Sequence, residues 1–248
     1  MERYIHIASA SMRLQMDNQR MIAAGLANQN TVGFKRDYGS VFSGYFDQEG
    51  GSDRVFPSRG PAGVDQESGK IVATDNPLDA SIDGEGFFVG TSPSGQTVIT
   101  RRGDFRVGAD RVLRNGENVT MDGDSGPIQI PAAESIEITK DGSVAIRPPG
   151  AETNAEPTVI GRLRLIKATP DNIVRGDDAL LRLRDNSVPQ PDATVALNTK
   201  GLESSNINAI DAMVDMLNAS RTFEIHVKLL ATAKELDDST AKLMRSDR

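Results

Sequence analysis

Residues 205–248 read SNINAIDAMVDMLNASRTFEIHVKLLATAKELDDSTAKLMRSDR, without a Gly or a Pro. Those two residues are the strongest helix breakers, and apolar residues recur here in steps of three and four. The stretch therefore predicts one long helix. Ser204 or Ser205 stands where a cap is needed. The stripe reads Ala209, Met213, Met216, Ser220, Phe223, Val227, Leu230, Lys234, Asp237, Ala241 and Met244. The opposite end of the chain has the same character. From Tyr4 to Asn28 there is no Pro and no Gly before Gly25, and Ile5, Ala8, Met12, Gln15, Gln19, Ile22 and Leu26 form a matching series. At 1.5 Å per residue the two helices span roughly 35 and 60 Å.

Polar residues interrupt both stripes: Gln15 and Gln19 in the first, Lys234 and Asp237 in the second. Polar seam positions lower stability and favour one register or partner. The expectation is a coiled-coil-like pairing of two assembly helices, with an interface seam of Ile5, Met12, Ile22, Leu26, Met213, Met216, Phe223, Val227 and Leu230. The alternative is two amphipathic helices packed on the protein's own core.

Between the ends the period changes from three-and-four to two. Ser135–Lys140 and Ser143–Ile146 alternate about Asp141-Gly142, a pair that tolerates the positive φ of a tight turn. Leu163 and Leu165 alternate with Arg162 and Arg164, and Leu181 and Leu183 with Arg182 and Arg184. The fold class expected is α+β, with long terminal helices flanking a mostly antiparallel central β domain. The divisions are an N-terminal assembly helix over 1–33, an extended arm over 34–75, the β domain over 76–200 and a C-terminal assembly helix over 201–248.

Composition narrows the function. The 248 residues carry a net charge of −7, which argues against a nucleic-acid partner, because phosphate contacts need clustered Lys and Arg. Cys is absent, which removes disulfides, thiol nucleophiles and Cys-ligated metal, and His6 and His226 are the whole supply of imidazole. No run of about 18 apolar residues suggests a membrane span. The first ten residues lack the apolar stretch of a secretory signal, so export, if it occurs, is expected without cleavage.

Several short motifs invite a chemical reading and are better read as turns. Gly84-Glu85-Gly86-Phe87-Phe88-Val89 lacks the third glycine and following helix of a dinucleotide loop. Asp122 and Asp124 lack the remaining ligands of a calcium loop. Arg102-Gly103-Asp104 and Arg175-Gly176-Asp177 match an adhesion tripeptide, in positions where Gly turns between charged residues are expected. No catalytic constellation emerges, and no cofactor, metal or small-molecule substrate is expected. A wall-acting hydrolase and a secreted adhesin are the competing classes.

Leu26-Ala27-Asn28-Gln29-Asn30-Thr31-Val32-Gly33-Phe34-Lys35 resembles a signature shared by flagellar rod and hook proteins. Three further blocks agree, in the right order along nearly the whole chain. Asp75-Asn76-Pro77-Leu78-Asp79 with Ile82–Val89 is similar to the opening of that family's β domain. Thr100–Phe105 is similar to its next hairpin, and Leu202–Asn208 with Met213–Met216 to the start of its C-terminal helix. The motif residues are Asn28, Asn30, Thr31, Gly33, Phe34, Asn76, Pro77, Leu78, Gly84, Gly86 and Phe87. Asn and Gly at 28, 30 and 33 permit a sharp exit from the first helix. The resemblance implies a structural subunit of the periplasm-spanning rod of the flagellar basal body, nearest to the proximal-rod members with the distal-rod members as the alternative. It also implies helices forming an inner tube, rod subunits and a second copy of the chain as partners, and the flagellar export apparatus as a contact in transit.

Overall fold

A computed structural model describes residues 2–39, 41–46, 54–59, 63–150, 156–185, 187 and 190–246. The chain forms two compact units, one from residues 1–27, 38–62 and 208–248, the other from residues 28–37 and 63–207. The segment read from sequence as an arm contributes to both.

The first unit holds helix α1 (Glu2–Ala27), helix α2 (Ala209–Ser246) and an antiparallel hairpin, Val41–Phe46 with Arg54–Arg59, in register from Val41↔Arg59 to Phe46↔Arg54. Asn208 caps α2: its side-chain oxygen accepts from the Ile210 amide at 3.0 Å. Ser204 and Ser205, the caps expected, lie before it in the other unit.

α1 lies beside α2, and Gln15 Nε2 donates to the Ala219 carbonyl at 2.8 Å. The coiled-coil-like pairing expected from the heptad stripes is not what holds them. A coiled coil buries its a and d residues, yet Met213 and Val227 are 52% and 44% exposed. The less exposed side chains of α2 are Ala209, Met216, Phe223 and Leu230 of the expected stripe with Ala212, Ala219 and His226 in place of Met213, Ser220 and Val227, and Ala219 alone among its described side chains is buried. The physical reason is that α2 is apolar on more than one face. Ile210, Val214, Leu217, Ile225 and Leu229 are as hydrophobic as the expected seam, so hydrophobicity does not select a single stripe. The face turned toward α1 is the one where small residues, Ala212 and Ala219, let a glutamine reach a backbone carbonyl.

The second unit is β throughout, apart from a short 3-10 turn at Pro170–Asn172. Its main sheet runs, neighbour to neighbour, through Ile173–Arg175, Leu181–Leu183, Thr97–Thr100, Phe87–Thr91, Thr120–Gly123, Leu113–Arg114 and Arg106–Val107. Every pairing in it is antiparallel. Leu165–Ile166 also pairs with Phe87–Thr91. The hairpin read at Asp141-Gly142 forms as expected, with Ser135–Ile138 opposite Ser143–Arg147. Its turn is closed by the Gly142 amide on the Thr139 carbonyl, and Gly142 takes φ +86°, the left-handed conformation that favours Gly.

Phe87–Thr91 shows how the sheet is anchored. Side chains alternate across a strand, so Phe87 and Val89 enter one apolar cluster with Ile99, Ile166, Ile173 and Leu181. Phe88 enters the other, with Ala80, Val98, Phe105 and Leu113, and meets Phe105 edge to face at 5.1 Å. Both faces of this strand are covered, which is why it reads as a continuous apolar run.

Phe88→Ala is expected to destabilise the protein by about 3–5 kcal/mol. Val159→Ala, at a side chain that is mostly exposed, should change stability by less than about 0.5 kcal/mol. Urea unfolding followed by circular dichroism checks both; equal effects would show that Phe88 is not a core anchor.

Candidate assembly interface

The two connections that lead into α1 and α2 run side by side in the β unit. Thr31 donates its amide to the Asn28 carbonyl at 3.1 Å and its hydroxyl to Asn28 Oδ1 at 3.1 Å, forming the turn that the Asn-rich signature implied. Gly33 then takes φ +66° and donates its amide to the Glu203 carbonyl at 2.7 Å. A Cβ on Gly33 would stand 2.5 Å from the Arg101 backbone, so both conformation and space require glycine. Three residues on, Asn206 donates its amide to the Phe34 carbonyl at 3.3 Å, and its side-chain oxygen accepts from the Arg36 amide at 2.8 Å.

Beneath these contacts lies a buried ion triad. Lys35 Nζ sits 2.6 Å from Glu203 Oε1, and Arg101 Nε 3.4 Å from Glu203 Oε2. All three side chains are at most 1% exposed. Lys35 Nζ also donates to the Glu67 carbonyl at 2.6 Å, the Gly69 amide donates to Glu203 Oε1 at 2.9 Å, and Arg101 Nη2 donates to the Gly84 carbonyl at 2.7 Å. The Arg101 guanidinium lies 5.7 Å from the centre of the Phe87 ring. Burial pushes the Lys35 ammonium and the Arg101 guanidinium below their ordinary pKa values, with the Glu203 carboxylate opposing the shift in both.

Four sequence blocks quoted for the family resemblance converge here. Gly33 and Lys35 come from the first, Gly84 from the second, Arg101 from the third and Glu203 from the last. Lys35, Arg101 and Glu203 were not singled out in the sequence. The available signal was a charged residue inside each block, beside residues that pack.

A second clasp involves Arg175. Its guanidinium lies 4.6 Å from the centre of the Phe34 ring, its Nε donates to both oxygens of Asp37 at 2.9 and 3.0 Å, and its Nη2 donates to the Lys35 carbonyl at 2.6 Å. The first Arg-Gly-Asp turn is likewise closed on itself, since Arg102 holds Asp104 through two bonds of 2.7 and 2.9 Å. A buried Gly103, whose Cβ would meet the Ala80 carbonyl at 1.6 Å, locks that turn into the fold. Neither tripeptide presents an Arg and an Asp splayed for a receptor.

The remaining motif residues support the opening of the sheet. Asn76 Nδ2 and Thr74 Oγ1 donate to the two oxygens of Asp79, at 2.9 and 2.6 Å, and the Ile138 amide donates to the Pro77 carbonyl at 3.3 Å. Leu78 packs against the larger apolar cluster, and Gly86 passes the Val195 side chain too closely for a Cβ. Asn30 is exposed.

On the helices, Met12, Ile22, Leu26, Met216, Phe223 and Leu230 are half-buried, and Met213 and Val227 are exposed; the side chain of Ile5 lies outside the described residues. Ile210, Val214, Leu217, Ile225 and Leu229, which the stripe omitted, are each at least half exposed. No described helix is long and apolar enough to cross a membrane.

This is the geometry of a building block: a rigid β unit with two clasped exits, each leading to a long helix, one of them rich in uncovered apolar side chains. Residues 199–243 match the family described as flagellar basal body rod FlgEFG protein C-terminal, and residues 81–146 that described as flagellar hook protein FlgE/F/G D1 domain. The flagellar basal-body rod protein FlgF of Escherichia coli (strain K12) is 30% identical, over 98% of this chain and 97% of that protein. FlgF of Salmonella typhimurium is 29% identical, over 98% of this chain and 99% of that one. FlgG of Caulobacter vibrioides is 27% identical, over 96% of this chain and 98% of that one. The chain belongs to the flagellar basal-body rod protein family, and these relatives are structural proteins rather than enzymes.

Glu203→Gln leaves two buried cations without their carboxylate and should cost about 3–5 kcal/mol. Lys35→Met keeps Glu203 beside Arg101 and should cost less. Urea midpoints of the two variants test the order, and the reverse order would remove Glu203 from the centre of the clasp. By the same reasoning a fragment covering 28–207 should fold alone, whereas one covering 34–200 lacks Glu203 and should not. Cooperative unfolding of the shorter fragment would contradict this.

Proposed function

We propose that this chain is a structural subunit of the proximal part of the flagellar rod, placed in the basal body through its helical ends. The observation that carries the reading is α2. It exposes Ile210, Met213, Val214, Leu217, Ile225, Val227 and Leu229 while another stripe of the same helix faces inward. A helix apolar on more than one face has more than one face to bury, and the partners that complete that burial are other rod subunits and further copies of this chain. The seam residues named from sequence on both helices belong to that interface. The β unit, with its own two clusters, needs no partner to fold. In this reading the chain crosses to its site through the flagellar export apparatus.

The proximal assignment is supported by relatives of FlgF type at 30% and 29% identity. A distal-rod position is the second reading, favoured by the FlgG relative at 27% over 96% of the chain. Labelled protein on isolated basal bodies separates them: signal at the cell-proximal end supports the first, signal at the distal end the second.

Leu217→Asp and Phe223→Asp place a charge on the outer and inner faces of α2, each at a cost of several kcal/mol if the site is buried on assembly. Cells carrying either variant as their only copy should not swim and should contain rods that stop early. Normal swimming at wild-type protein levels for Leu217→Asp would overturn the outer face as an assembly surface.

A further inference from the structure

From the buried triad we infer a positioning device: Lys35, Arg101 and Glu203 are kept to hold the two exits of the β unit in one fixed register, and not for the stability of that unit. Burying charge is costly. Three ionised side chains at most 1% exposed have given up their hydration, and their mutual attraction at best about offsets that loss. A trio of apolar side chains of similar volume would fill the same space without the penalty. Charge at this place therefore does something that packing alone does not.

What it does is directional. Lys35 and Glu203 lie 168 residues apart in sequence, one in each exit connection. Apolar contacts tolerate sliding by a fraction of an ångström, and a lysine on one carboxylate oxygen with an arginine beside the other does not. Glu203 Oε1 is engaged by the Lys35 ammonium and the Gly69 amide. Oε2 faces Arg101, whose backbone passes so close to Gly33 that a Cβ there would stand 2.5 Å from it. The amides of Gly33 and Asn206 bond across from one connection to the other on either side of this anchor. A shift of one connection along the other would break the Lys35–Glu203, Gly33–Glu203 and Asn206–Phe34 bonds at once. The chain's two exits are thus set as a pair, a few residues after α1 ends and a few before α2 begins.

The consequence for assembly rests on the rod reading given above; the consequence for the exits does not. The test is the triple variant Lys35→Met, Arg101→Leu, Glu203→Leu in the full chain, with Lys35→Met alone as a second variant. The triple variant should unfold at a urea midpoint equal to or above that of the native chain. Its Gly33 and Asn206 amides should exchange with solvent at least about tenfold faster, while the amide of Val89, in the sheet core, stays protected as before. Lys35→Met should speed the same two amides by a smaller factor. A triple variant that is unfolded, or has a lower midpoint, would show that the triad is there for stability and would overturn the inference. Unchanged exchange at Gly33 and Asn206 in a folded triple variant would overturn it as well. Swimming by cells carrying a triple variant with loosened exits would leave the exits positioned by the triad and would count against the rod reading's need for that register.

Discussion

A single carboxylate, that of Glu203, is enclosed between an ammonium and a guanidinium, and most of the local architecture follows from where those groups must stand. An ion without water is tolerated only if its partners are close and held. Lys35 must therefore be inside, which draws the connection after α1 against the connection before α2. Arg101 must lie along the other side, which carries the end of its strand under Gly33. Glycine is then needed twice. A Cβ at Gly33 would collide with the Arg101 backbone, and a Cβ at Gly69 would stand 2.0 Å from the Ser204 carbonyl. The turn signature and the charged residues are two sides of one packing problem.

The sheet supplies the rigidity that such a clasp requires. Ile99 and Arg101 are two residues apart and point to the same side, so the apolar cluster around Phe87 runs directly into the triad through the Arg101 guanidinium over the Phe87 ring. Phe88, on the opposite face, is fixed by Phe105 and the larger cluster. The strand that carries both phenylalanines cannot tilt without disturbing one cluster or the other, and Gly84, at the turn before it, holds Arg101 from its far end.

The helical unit obeys a different logic. Where α2 lies beside α1, Gln15 donates to the Ala219 carbonyl, and α2 leaves large apolar side chains uncovered. A chain that stopped at one molecule would bear that exposure as a liability. In the assembly proposed above, the same exposure is the surface on which neighbours would be placed. On that proposal the two units divide the labour: one is complete by its own burial, the other would be completed by assembly.

Much of this was determined by local sequence. Freedom from Pro, and from Gly apart from Gly25, makes the terminal helices, strict alternation makes the strands, and Asp141-Gly142 makes a turn, because each depends only on the backbone preferences of neighbouring residues. The α+β class and the family blocks were legible for the same reason. The face on which α2 meets α1 was not, since a helix apolar on several faces carries no periodic signal that favours one. Nor was the cap at Asn208 rather than Ser204 or Ser205, because all three are good caps and only the path of the preceding strand decides among them. The triad was the least legible of all. Lys35, Arg101 and Glu203 look like ordinary surface charges along the chain, and only the folding of three distant segments onto one another removes the water from around them.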